Sequence, residues 1–183
     1  RRLQGVLVAR QYVLLDYDRA HGSDLFHGLS VEDIHVHENR VEEFLEGRAL
    51  TAEARDDVLA WYLERRWQPA SVLAAHRPYR GVLEVIRWFQ LQPTTFVGLN
   101  TGRPAQLRDE TLRSLNALGR EYRVEFRADL LAMNESGEED AVIESKVAGL
   151  RTFADAGFRT FAVVDDERAV VAALAEADES GEI

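Results

Sequence analysis

The chain contains no cysteine. Disulfides, thiolate metal sites and a cysteine nucleophile are therefore excluded. Positive charge is also scarce: 22 Lys and Arg stand against 32 Asp and Glu, a net charge of −10. An acidic balance disfavours broad nucleic-acid binding, which relies on cationic surface. Arg77, Arg80, Arg103, Arg108 and Arg113 leave room for one local basic patch. No apolar run approaches the ~18 residues that span a bilayer, so no membrane partner is expected. The start, Arg1-Arg2-Leu3-Gln4, lacks a long apolar stretch of the signal-peptide kind, and a cytoplasmic location follows by default. It also lacks an initiator Met, which leaves room for an upstream start.

What the chain does have is apolar content, 46% over 183 residues. That suffices for one globular core, or for a core with a small insertion. Gly5 to Asp18 reads as two short strands or one interrupted strand, with Val13-Leu14-Leu15 buried. Residues 24–76 look helical: Thr51-Ala52-Glu53-Ala54 starts like a capped helix, and Val58, Leu59, Tyr62 and Leu63 share one helical face. From Gly81 onward the pattern alternates. A helix over 81–90 carries Val82, Val85, Ile86 and Phe89 on one stripe, with Trp88 and Phe89 packing the core. A strand is expected over 94–99, then a helix with Pro104 at its first position and Gly119 at its end. A short strand is expected over 122–126, a helix over 142–156, a strand over 160–164 and a helix over 168–177. Such alternation implies an α/β fold with a parallel sheet.

Two apolar runs end in carboxylate pairs, Val13 to Asp18 and Phe161 to Asp166. A third, Val97-Gly98-Leu99-Asn100, ends in Thr101-Gly102-Arg103-Pro104. Between the hydroxyl and the last acid pair stands Lys146. A buried parallel strand delivers such a terminal group to the carboxyl edge of its sheet, where open α/β sheets bind ligands. One carboxylate of Asp16 and Asp18 can attack phosphorus while the other handles protons. Thr101 with its following amides suits an anion at a strand-to-helix junction, or else is an ordinary helix cap. Lys146 could neutralise phosphate, or be a surface lysine. Asp165 and Asp166 could hold Mg²⁺, which takes oxygen ligands, or could begin the next helix. The order of all four segments together is the signal. His35-Val36-His37, with Asp33 and Glu38, reads as a solvated or cap-lining pair, Trp61, Tyr62 and Trp67 as cap core, and His21 as a group within reach of substrate.

This ordering resembles the haloacid dehalogenase-like superfamily. The carriers are Asp16-Tyr17-Asp18, Leu99 to Pro104, Lys146 and Val163-Val164-Asp165-Asp166-Glu167, with Tyr79 to Ile86 similar to the helix that leads into the second motif. The resemblance implies a Rossmann-like core from residues 1–23 and 77–183, with 24–76 as a small helical cap. It also implies Mg²⁺-dependent hydrolysis of a small phosphate ester through an aspartyl-phosphate. Carried over by position, Asp16 is nucleophile and metal ligand, and Asp18 is general acid/base with its carbonyl on the metal. Thr101, Gly102, Arg103 and Lys146 bind phosphate, and Asp165 or Asp166 completes the Mg²⁺ site. A fainter similarity, over Asp129 to Asn134, Asp140 to Lys146 and Asp165 to Val171, is to the phosphatase domains of polynucleotide kinase-phosphatases. Asn134 and Glu167 stand where those domains tend to carry positive charge.

One departure falls in the first motif: Arg19-Ala20 replace the family's usual Gly-Thr. Three readings follow. The first is a phosphatase of small esters, the second a nucleic-acid end phosphatase, disfavoured by the net charge of −10. The third is a fold that binds a phosphorylated ligand or a partner without turnover. A receiver domain shares the Asp, Thr and Lys inventory, but its acid pair comes first, whereas here an acid pair also closes the series.

Overall fold

A computed structural model describes residues 6–8, 12–29, 41–74, 76–78, 81–138, 141–165, 167–179 and 181–183. The chain divides into two compact units, one from Arg1–Leu7 and Pro78–Ile183, the other from Val8–Arg77. Strands β1 (Val6–Val8) and β2 (His76–Pro78) pair in a two-stranded sheet, and the division falls within both.

The 8–77 unit is helical: α1 (Tyr12–His21), α2 (Val41–Glu46), α3 (Ala52–Arg65) and α4 (Pro69–Ala74). Thr51 caps α3 as its sequence predicts, its hydroxyl accepting from Ala54 N at 3.2 Å. Val58 and Tyr62, one turn apart, are buried with Tyr17, Phe26, Val41 and Leu45. Full burial of such side chains contributes roughly 1.5–3 kcal/mol each. Leu63, expected on that face, is exposed instead.

The first correction to the sequence reading lies here. Val13-Leu14-Leu15-Asp16-Tyr17-Asp18 is not a strand end but part of α1. A short apolar run does not distinguish strand from helix by periodicity alone. What favours the helix is i, i+4 and i, i+3 pairing: His21 stacks on Tyr17 at 4.0 Å between ring centroids, and Arg19 meets Asp16. Tyr17 also meets Trp61 of α3 edge-on, which places residues 12–21 with the helical unit rather than with the sheet.

The other unit holds α5 (Val82–Gln90), β3 (Leu99–Pro104), α6 (Arg108–Gly119), β4 (Leu131–Asn134), α7 (Val142–Asp155) and α8 (Arg168–Ala177). β3 and β4 run parallel, joined through α6 as a βαβ unit. Leu83, Leu115, Val124 and Phe126 form one cluster, and Leu150, Val170 and Leu174 another between α7 and α8. The architecture is mixed α/β with a two-stranded parallel sheet. A wider Rossmann-like sheet is not seen among the described residues.

Four local expectations change. The strand predicted over 94–99 begins at Leu99 and continues to Pro104, so Pro104 ends a strand and precedes a 3-10 turn, Ala105–Leu107. Tyr122 closes a 3-10 turn and 123–127 carries no strand. The strand of this region is Leu131–Asn134, fully buried. Residues 160–164 form no strand: Val163 packs on the α7–α8 cluster while Phe161 and Val164 stay exposed. Trp88 is 58% exposed and does not pack the core.

Candidate active site

The ladder between β3 and β4 pairs Leu99 with Leu131 and Asn100 with Ala132, then shifts to pair Pro104 with Asn134. The three residues Thr101, Gly102 and Arg103 therefore stand opposite Met133 alone. Such a bulge opens the ladder and re-aims side chains, and bulges gather beside functional sites. Here it falls on the hydroxyl, glycine and guanidinium singled out in the sequence. Thr101 Oγ1 turns back to accept from Arg103 N at 3.3 Å.

The two sides of β3 meet different helices. Gly102 lies against α7: a Cβ there would fall 2.8 Å from Val142 Cγ1. Asn100 also meets α7, its Nδ2 donating to Lys146 O at 2.7 Å. Arg103 instead reaches Thr111 of α6, with Nη1 to Oγ1 at 3.5 Å. Arg103 is 7% exposed and has no carboxylate partner among the described residues. Burial pushes its pKa down to about 10, so it is still charged at pH 7.

Lys146 stands in the second turn of α7 and pairs with Asp165, Nζ to Oδ2 at 2.5 Å. Both side chains are nearly buried, at 13% and 10% exposure. The other oxygen of Asp165 accepts from Glu167 N at 3.0 Å, at the cap of α8. Asp165 thus joins α7 to the start of α8. The structure brings Asn100, Lys146 and Asp165 together and turns Arg103 toward α6. Asp166 lies outside the described residues, as do Asp33, His35, His37 and Glu38.

Asp16 and Asp18 sit in the helical unit. Residues i and i+2 of a helix are ~200° apart around its axis, so α1 turns the two carboxylates to opposite sides. Asp16 pairs with exposed Arg19 at 3.0 Å. Asp18 accepts from Ser23 Oγ at 2.6 Å, Leu25 N at 2.9 Å and Phe26 N at 2.7 Å, pinning the loop that follows α1. His21 donates through Nδ1 to Tyr17 O at 3.0 Å and meets Trp61 edge-on.

Among the described residues no three metal-ligating side chains gather in one place. Asp165 offers one carboxylate, already bonded to an ammonium and an amide. Among the described residues, the donors of neither unit fit Mg²⁺ by themselves.

The sequence reading named Asn134 only as a missing positive charge, not for the loop it builds, and it missed Gly149. Asn134 is 1% exposed; its Oδ1 accepts from Ser136 N, Ser136 Oγ and Gly137 N, and its Nδ2 donates to Glu138 O, shaping the loop before α7. A polar residue closing the apolar run Leu130-Leu131-Ala132-Met133 was the available signal. No helix among the described residues is long and apolar enough to cross a membrane. Compared with family models, with curated proteins and with solved structures, the chain matches none.

Proposed function

We propose that the chain is a phosphomonoester hydrolase with a haloacid dehalogenase-type, Rossmann-like core and a helical cap, acting on a small phosphate ester. The supporting observation is the nearly buried Lys146–Asp165 pair beside Asn100, where β3 opens into Thr101-Gly102-Arg103. A nearly buried ammonium, a hydroxyl and the backbone amides of an opened strand end are the equipment of a phosphate site. In this reading Thr101, Gly102, Arg103 and Lys146 hold the phosphoryl group. Asp16 attacks phosphorus and Asp18 gives its proton to the leaving alkoxide. Water then cleaves the acyl phosphate, releasing phosphate and restoring the carboxylate. Mg²⁺ dependence is the part of this proposal that the release assay tests, since the described donors of neither unit hold the ion by themselves.

A second reading has an observation of its own. Asp18 is held by three donors and Asp16 by Arg19, on opposite sides of a helix. That arrangement favours binding of a phosphorylated ligand without turnover. Phosphate release from a panel of esters, with and without Mg²⁺, separates the two. Turnover that Asp16→Asn abolishes supports the hydrolase. Turnover that persists in Asp16→Asn rejects Asp16 as nucleophile. Saturable phosphate binding with no release on any ester supports the second reading.

A further inference from the structure

Lys146 is the one lysine of the chain; the other 21 of its 22 Lys and Arg residues are arginine. Its ammonium ends a side chain with four rotatable bonds, and its place is useful only if both ends are held. Asp165 holds the tip. The base is held from β3: Asn100 donates to the Lys146 carbonyl at 2.7 Å, although that carbonyl lies within α7, where a lone pair remains beyond the helical ladder.

Gly149, on the same side of α7 three residues on, makes the contact possible. A Cβ on it would fall 2.5 Å from Asn100 Oδ1 and 2.8 Å from Ala132 Cβ, closer than real Cβ atoms come. The helix therefore lies nearer the sheet than any other residue would allow. The Asn100 carboxamide fills the space where that side chain would be.

We infer that Asn100 is the positioning residue for Lys146: it fixes the second turn of α7 on β3 and so sets where the ammonium stands, with Gly149 as the cradle that admits it. Its consequence for catalysis rests on the hydrolase reading; the positioning itself does not.

Because there is one lysine, isotope-labelled lysine gives a single side-chain NMR signal, read without substrate. In folded Asn100→Ala that signal is expected to shift toward free lysine, and its ammonium protons to exchange faster with water. An unchanged signal in folded Asn100→Ala overturns the inference, whatever happens to the melting temperature. Should Asn100→Ala not fold, Asn100→Asp decides. The carboxylate keeps the size of the carboxamide but cannot donate to the Lys146 carbonyl, and it is expected to displace the signal. A wild-type signal in Asn100→Asp overturns the inference. If an ester is hydrolysed, kcat/KM is expected to fall in the order in which the signal is displaced. Absence of release by the wild type counts against the hydrolase reading alone.

Discussion

Lys146 and Asp165 meet at 2.5 Å with both side chains about nine-tenths buried, while Arg103, on β3 and also buried, has no acid among the described residues. The two cations answer differently to substitution.

Removing one member of a buried pair leaves the other charge uncompensated and costs about 3–5 kcal/mol. Lys146→Met and Asp165→Leu are each expected to fall in that range by urea denaturation. The double variant is expected to cost much less than their sum. Strict additivity would show that the pair is not coupled.

For Arg103 the expectation reverses. Among the described residues Arg103→Met gives up one long hydrogen bond, and it relieves a desolvated charge, so its stability at pH 7 is expected to stay within about 1 kcal/mol of wild type or to rise. Millimolar phosphate is expected to stabilise the wild type more than the variant. Because burial lowers this pKa to about 10, the penalty is present in full at neutral pH. It is relieved as pH climbs above about 10 toward the ordinary arginine range. A large loss of stability in Arg103→Met would sink this account.

Tyr17 carries the opposite sign. Burial, then the charges of Asp57 and Asp18, raise its pKa above 10.0. Its contribution is whole below the unfolded value and is lost as pH rises through the raised one. Alkaline titration is thus expected to weaken the helical unit, and Tyr17→Phe to flatten that loss. Circular dichroism against pH from 9 to about 12 reads it. Equal alkaline slopes in wild type and variant would contradict the assignment.

Asp16 and Asp18 separate stability from activity. Asp18→Ala removes three loop bonds and is expected to cost about 1–3 kcal/mol. Asp16→Asn loosens an exposed ion pair worth about 0–1 kcal/mol. Thermal melts check both, and a strongly destabilised Asp16→Asn would void its use as a probe of turnover.

Gly102→Ala drives a methyl to 2.8 Å from Val142 Cγ1 and is expected to cost about 1–3 kcal/mol. Val142→Ala in the same chain is expected to recover most of it, a rescue that a double-mutant cycle measures.

Local chemistry made part of this legible from sequence. Thr51 before Ala52 announced its helix, and Arg168 to Ala177 declared theirs by spacing alone. Lys146 and Asp165 were named before the fold put them in contact. What the sequence hid was decided at a distance. Val13 to Asp18 is a short apolar run whose state depends on Tyr17 reaching Trp61. The ladder along β3 depends on where β4 ends, so the bulge at Thr101 to Arg103 carries no local mark. Asn100 looked like one more polar residue at a strand end, because its partner lies 46 positions along the chain.

A lone lysine on a clasped helix has a further consequence. A lysine-specific protease has one bond to cut, after Lys146, inside α7. It can reach that bond only when the second turn of α7 lifts from β3 and unwinds. The growth of two fragments, residues 1–146 and 147–183, is then a clock for the opening of the site. Any ligand that seats against the ammonium should slow it.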